Sequence, residues 1–426
     1  MDWHLALATI LGGYVALLIL RVPIFFAFLI VVLVSALAIF PTWIGVIIVA
    51  RNVVDGLLNF VLLPIPLFLL IGNLIVESGV GARAVQTIAR RVDQVGGRTG
   101  FVALGSGALL SFVSGSSLAA AALILRTLDP IYGSSKKQQA TMTGAALSSG
   151  GIAIFVPPSA LAVLVSSIAN VNVSDFLISI VPVALAMTLL YALIILTTEE
   201  PGSKAGQDHS IELEVMPIWP IVVRFGGLFG VMMLGIVLGF ATPTEAAALG
   251  VAVTVIHLSL TKELTFAGLY KSLVQTVSDS TSLLLIVAMA GVFSQMLVFL
   301  GIADGVRIFL TDMNGNTLLL LLFCAICALL LGCFIDGVSL ALVCIPLFLP
   351  ALTEAGVSPI YFCLMLLLCI ETGLLTPPFG LLLIVAGGLV KSTLSTSEII
   401  RPTLPFLGAN IALLISICII ASVFVK

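Results

Sequence analysis

The residues best suited to chemistry sit in two short interruptions of apolar runs, FVSGSSLA at 112–119 and FIDGVSLA at 334–341. Each brings short polar side chains and a glycine, the makings of a tight turn. Hydroxyls and freed backbone carbonyls are hard oxygen ligands, suited to an alkali cation. Downstream of each lies a proline pair, Pro157 and Pro158 in FVPPSALAVL (155–164) and Pro377 and Pro378 in LTPPFGLLLI (375–384). Proline removes a backbone donor and disrupts the helix before it, so each pair separates two half-helices. Half-helix N-termini carry free N–H groups and partial positive charge, which suits a carboxylate. The first set of parts is Ser114, Gly115, Ser116 and Ser117, with Gly150 and Gly151 loosening the approach to the prolines. The second is Asp336, Gly337 and Ser339 at the tip, then Thr372, Gly373, Thr376, Pro377 and Pro378 at the break.

The two sets are related. Phe112, Gly115, Ser117, Leu118 and Ala119 match Phe334, Gly337, Ser339, Leu340 and Ala341 at a constant offset of 222, and Gly79 matches Gly301 at the same offset. The proline pairs match at an offset of 220. A single SGSS or PP reads most simply as small residues for close helix packing. Two motifs recurring in order and in register point to an internal repeat.

The elements that must position these residues are membrane helices. Of 426 residues, 61% are hydrophobic and 9% charged, against about 45–50% and about 25% in soluble domains. The net charge of −3 leaves no nucleic-acid footprint. The start, MDWHLALATI, has no basic leader and reads as a retained first span. The seven cysteines all lie from Cys324 onward, and the pair Cys324 and Cys327 reads as small apolar helix residues. No phosphate-binding G-x-x-x-x-G-K-[ST] loop occurs, so ATP hydrolysis is not expected. His4, His209 and His257 lie far in sequence from both tips, so a serine nucleophile there has no evident base. The chain is expected to be a transporter, not an enzyme.

A helix needs about 20 apolar residues to cross the hydrocarbon. Such runs fall at 3–20, 23–40, 59–77, 139–170, 174–197, 217–239, 243–260, 273–299, 360–390 and 403–425, with a short interfacial helix at 42–58 and a polar one at 79–98. Residues 198–216 form the one long hydrophilic loop. The stretches 100–128 and 317–350 hold the two interruptions, and each could be a straight span or a re-entrant hairpin. Arg83, Arg90, Arg91 and Arg98 precede the first, and Lys136 and Lys137 follow it. Basic loops stay inside, and only a hairpin keeps both clusters there. With two hairpins both termini fall outside, and only Arg51, Arg307 and Lys426 among 17 lysines and arginines fall outside with them. Five spans separate the hairpins, so the second copy enters from the opposite face. The expected fold is an all-α polytopic membrane protein of inverted-topology repeats, with about ten spanning helices and two re-entrant helical hairpins. Transporters of this kind bind at the midplane, between broken helices. Asp336 then lies mid-membrane, where a charge costs several kcal/mol and marks an ion or proton path. Glu371 and Glu245 also fall inside spans, as path residues or as neutral packing acids. Neutral oxygens dominate both tips, which favours sodium over protons.

These same residues resemble the large membrane subunit of TRAP (tripartite ATP-independent periplasmic) transporters. The resemblance rests on SGSSLAAAA (114–122), FVPPS (155–159), GFATPTEAAALG (239–250), FIDGVSL (334–340) and IETGLLTPPFGL (370–381), and it spans essentially the whole chain. It implies a sodium-driven symporter of small organic acids in a bacterial or archaeal inner membrane. It implies two partners, a separate small four-helix membrane subunit and a periplasmic substrate-binding protein. It also implies an elevator motion, with 79–170 and 301–390 (arm helix, hairpin and broken helix) moving against scaffold helices at 1–78 and 171–300, and 391–426 as the C-terminal helix. Carried over by motif, one sodium lies near Ser114, Gly115, Ser116, Ser117, Gly151, Pro157 and Ser159. A second lies near Asp336, Gly337, Ser339, Thr372, Gly373 and Thr376. The substrate lies between, near Ser116, Ser117, Pro158, Ser159, Ser339, Pro377 and Pro378. The sequence departs from the family pattern at Phe379, where a small or aliphatic residue is common. The competing expectations are a stand-alone anion or dicarboxylate carrier of the same hairpin class and a non-transporting membrane scaffold.

Overall fold

The computed structural model describes residues 3–20, 22–40, 43–58, 62–94, 98–114, 117–132, 136–157, 159–199, 218–312, 316–377, 380–390 and 394–424. Among the described residues the fold is helical: α1 (Trp3–Ile19), α2 (Ile24–Ile39), α3 (Ile44–Leu57), α4 (Pro64–Glu77), α5 (Val80–Gln94), α6 (Thr99–Ser114), α7 (Ser117–Tyr132), α8 (Lys136–Gly150), α9 (Ala160–Ile168), α10 (Val173–Thr198), α11 (Ile218–Val237), α12 (Pro243–Leu260), α13 (Phe266–Phe299), α14 (Ile302–Asp312), α15 (Thr317–Gly332), α16 (Gly337–Glu354), α17 (Pro359–Leu375), α18 (Leu381–Leu389) and α19 (Thr396–Val423). A 3-10 turn, Gly151–Ile154, follows α8.

The repeat reaches beyond the two motifs to the whole chain. Ile44 opens α3 and Phe266 opens α13; Glu77 closes α4 and Phe299 closes α13. Both pairs stand at the offset that relates the two tips. Pro64 and Pro66 divide the first copy into α3 and α4; the second copy carries Ile286 and Ala288 there and runs on as one 34-residue helix. Gly79 and Gly301 turn the chain into α5 and α14 with φ of +70° and +67°, a region glycine enters without steric cost. Helices α9 and α18 have equal lengths, and their first residues, Ala160 and Leu381, fall between the offsets of the tips and of the proline pairs.

Hairpin one is α6 and α7, hairpin two α15 and α16, and they enter the molecule from opposite ends. Helix α19 has 28 residues, about 40 Å at 1.5 Å per residue. At its start, Pro402 packs against Gly144 of α8, and Glu398 feels the charge of Lys136, just past the base of hairpin one. At its end, Phe424 stacks on Tyr361 with ring centroids 6.4 Å apart, just past the base of hairpin two. The two bases therefore sit at opposite ends of one long helix, as an inverted repeat requires. The tips are brought together crosswise, α18 packing on α7 and α9 on α16.

Charge follows the same division. At the hairpin-one end, Arg83 pairs with Glu263 at 3.2 Å, Lys271 with Glu77 at 2.8 Å, and Arg98 Nε donates to the Glu199 carbonyl at 2.5 Å. At the other end, Arg307 bonds Glu354 at 2.5 Å, and Trp3 packs on α14 beside Gly305 and Phe309. Trp3 and Phe424, near the two termini, thus lie at the same end of the molecule.

As their proline pairs predict, runs 139–170 and 360–390 are each broken, into α8, the 3-10 turn and α9, and into α17 and α18. Helix α13 starts at Phe266, well before the expected span at 273. Helices α10, α12, α13, α16 and α19 are each long and apolar enough to cross a membrane alone. Helix α16 is nonetheless half of hairpin two, and 61% of its apolar window is buried inside the protein. Helices α4 and α5 meet at 63°, turning the polar α5 away from the direction of α4. Most of the hydrophilic loop expected at 198–216 lies outside the described residues.

Candidate functional site

The site forms where the two tips meet the two broken helices. Helix α8 can approach hairpin one because its contact positions carry no side chain. A Cβ on Gly150 would sit 2.8 Å from the Ala121 Cβ and 3.0 Å from the Ser117 carbonyl oxygen. Likewise a Cβ on Gly107 of α6 would fall 2.5 Å from the Ser149 Cβ. Helix α17 meets hairpin two in the same manner: a Cβ on Gly373 would fall 2.8 Å from the Gly332 backbone. Gly373 is thus a close-packing residue, and Gly337 is another, set against Ile370. Their backbone, rather than any side chain, is what each brings to the site.

At hairpin one, Ser117 opens α7 and its hydroxyl donates to Glu371 Oε2 at 2.7 Å. Glu371 comes from near the end of α17, on the opposite repeat, and is fully buried. Its other oxygen, Oε1, lies so close to Gly151 that any Cβ there would collide with it, and it has no hydrogen-bond partner among the described residues. Ser149, Ser106 and Thr372 are also buried, with hydroxyls lacking partners among the described residues. Ser159 caps α9, its Oγ accepting the Ala162 N–H at 3.3 Å, and Pro157 is buried beside it in sequence. Ser114 ends α6. Gly115, Ser116, Pro158, Pro378 and Phe379 lie outside the described residues.

At hairpin two, Asp336 is the N-cap of α16. Its Oδ2 accepts the N–H groups of Val338 and Ser339 at 3.0 and 3.3 Å, and its Oδ1 accepts the Ser339 hydroxyl at 2.5 Å. Both carboxylate oxygens are occupied, a role that explains an aspartate at a helix start without any ion. The Tyr14 hydroxyl, buried on α1, comes near Ser339 and Asp336 without a well-aligned hydrogen bond. Thr376 ends α17 and turns its hydroxyl back to the Thr372 carbonyl at 2.6 Å. Pro377 follows, half-buried, and the Thr376 carbonyl accepts the Gly380 N–H at 3.0 Å at the start of α18.

The sequence-derived residues that can be placed thus gather at the tips and breaks. Glu371 stood out only as a path residue or packing acid inside a span, and Ser149 and Ser106 did not stand out at all. A signal existed: Ser149 and Glu371 are related by the same offset as the two tips, and so hold equivalent positions in the two repeats. A separate apolar cavity of about 520 Å³ runs between α4, α11 and α12, lined by residues such as Gly227, Met232, Phe240, Gly250 and His257. It touches neither tip.

What the arrangement can do is enclose something small between two helix starts and a group of buried oxygens. The profile of the family described as "Tripartite ATP-independent periplasmic transporter, DctM component" matches residues 11–423. The chain is 27% identical to the 2,3-diketo-L-gulonate TRAP transporter large permease protein YiaN of Escherichia coli, over 86% of each chain. It is also 27% identical to the sialic acid TRAP transporter large permease protein SiaM of Vibrio cholerae, over 88% of each. Its fold is similar to that of the Alcanivorax borkumensis YdaH transporter, with a TM-score of 0.65, 14% identity, and coverage of 94% of this chain and 97% of that one.

Proposed function

Because this chain belongs to the DctM-component family of tripartite ATP-independent periplasmic transporters, we propose that it is the permease subunit of a sodium-coupled symporter for a small organic acid. Members of the family are transporters and not enzymes, and the chain is a multi-pass inner-membrane protein. The named relatives act on 2,3-diketo-L-gulonate and sialic acid, both carboxylates, which supports a carboxylate here. The observation that carries the reading is the convergence of two oppositely inserted hairpins on two broken helices, around buried oxygens without partners among the described residues.

In this reading the unpartnered Glu371 Oε1, with Ser117 held on the other carboxylate oxygen, fits a sodium ion better than an anion. At hairpin two, sodium would be held by backbone near Gly337 and Gly373 and by Thr372, since Asp336 and Thr376 are engaged within their own helices. Asp336 and Ser159 already cap α16 and α9, whereas the start of α18 has no side-chain cap and leaves N–H groups for a carboxylate. Sodium reaching the tips fixes the hairpins against the broken helices, and the organic acid then finds its N–H groups in place. The loaded hairpins and broken helices move as a unit against the scaffold helices. The end bearing Arg83, Arg98, Lys136 and Lys271 faces the cytoplasm and both termini the periplasm. A periplasmic binding protein delivers the acid, and a small membrane subunit completes the scaffold.

The test is uptake of labelled organic acids by proteoliposomes holding this chain and its small partner, with and without an inward sodium gradient and with and without the binding protein. Uptake requiring both is expected. Uptake indifferent to the binding protein would make this a stand-alone carrier. Uptake driven by protons alone would overturn the sodium assignment.

A further inference from the structure

We propose that Glu371 is a direct ligand of the coupling cation at hairpin one, binding it through Oε1 while Oε2 remains on Ser117. The proposal rests on the sodium-coupled reading above and adds to it a charged ligand, supplied by the opposite repeat.

Two carboxylates stand at the tips, Asp336 and Glu371, and they are not equivalent. Asp336 has committed both oxygens to capping α16. Glu371 has committed one. Its Oε1 is buried and has no hydrogen-bond partner, and no lysine, arginine or histidine pairs with it, among the described residues. A buried carboxyl left half-satisfied stays ionised only where something positive meets it. Oε1 sits against Gly151, where α8 gives way to the 3-10 turn and backbone carbonyls leave the α-helical pattern, and a Cβ there would collide with the carboxyl.

The repeat makes the inference asymmetric. The position equivalent to Glu371 in the first copy is Ser149, whose hydroxyl is also buried and unpartnered among the described residues. One of two related positions therefore carries a carboxyl group and the other a hydroxyl. The ionic ligand also links hairpin one to α17, so occupancy beside it is felt by the broken helix that faces hairpin two.

The test is sodium-dependent thermal stabilisation of the detergent-purified complex of this chain with its small membrane partner, titrated with sodium chloride against choline chloride. Ligand that binds the folded state raises the melting temperature in a saturable way. Wild type is expected to show a saturable rise. Glu371→Gln is expected to need at least about tenfold more sodium for half the rise, and to melt higher than wild type in choline, having lost an uncompensated buried charge. Glu371→Asp keeps the charge on a shorter arm and is expected to respond with a shifted midpoint. A wild-type midpoint in Glu371→Gln, or in Glu371→Asp should the glutamine variant not fold, would overturn the proposal and leave Glu371 a neutral packing acid, with sodium coupling intact. Absence of any sodium response in wild type would overturn both this proposal and the sodium reading beneath it.

Discussion

Replacing Gly151 by alanine tests the closest contact in the site. The added Cβ would collide with Glu371 Oε1 and Cδ and stand 2.8 Å from its Cγ. Glu371 cannot retreat freely, because it is fully buried and held by Ser117 at 2.7 Å. Overpacking of this kind costs about 1–3 kcal/mol, and breaking a hydrogen bond to a charged group costs about 1.5–3 kcal/mol. The two overlap, since moving Glu371 away relieves the first by incurring the second; a net loss of about 2–3 kcal/mol is expected. With an unfolding entropy of about 2 cal/mol/K per residue over 426 residues, that is about 3 °C in melting temperature. Gly12→Ala and Gly408→Ala, where nothing lies within 4 Å of the added carbon, serve as controls and are expected to melt at or above wild type. The assay is thermal unfolding of the purified complex in choline and in sodium, with uptake measured alongside. Gly151→Ala is expected to melt lower in both salts and to lose sodium-driven uptake. Should it melt with the controls and transport normally, then Ser117, Glu371 and Gly151 are not packed as described.

Other outcomes follow from the same geometry. Gly79→Ala and Gly301→Ala should each cost about 1–2 kcal/mol, from a non-glycine residue held at positive φ; unequal thermal shifts would break the equivalence of the two turns. Asp336→Ala should lose about 1 kcal/mol of cap stability while Asp336→Asn keeps most of it, and equal melting of the two variants would argue against the cap. Burial pushes the Glu199 carboxyl up, against the lowering effects of the Gly100 N–H and Arg98. Its folded-state pKa lies above the unfolded value, so the stability it gives is present at acid pH and is lost as pH rises through the carboxylate range. Wild type should therefore lose stability relative to Glu199→Gln as pH rises from about 4, and a difference independent of pH would contradict the burial of Glu199.

Much of the fold is legible in the sequence because prolines and glycines punctuate it. The breaks after Gly150 and Leu375, the turns between α6 and α7 and between α15 and α16, and the turns at Gly79 and Gly301 all announce themselves by residue type. The charge clusters around hairpin one make sense only if that hairpin turns back, and α19 now measures the opposed entry of the two hairpins directly. The full extent of the repeat was less visible. The equivalence of α3 and α4 with α13 hides behind Pro64 and Pro66, which split one copy and not the other. The contact between Ser117 and Glu371 could not be read at all, since it joins residues far apart in sequence through the packing of one repeat on the other. Asp336 carries a second role that the sequence leaves unseparated: an acid in a span suggests an ion path, and here it also caps its own helix through two N–H groups and a hydroxyl. An aspartate three positions before a serine at a helix start carries both meanings, and only geometry separates them.

The most direct test of the central claim is to follow radioactive sodium and a labelled organic acid together into the same proteoliposomes, with small partner and binding protein present. Substrate-dependent entry of sodium, in fixed proportion to the acid and lost in Gly151→Ala, is the expected result. Acid entering while sodium entry stays at the level of protein-free vesicles would contradict the assignment of the paired tips to a sodium-coupled site.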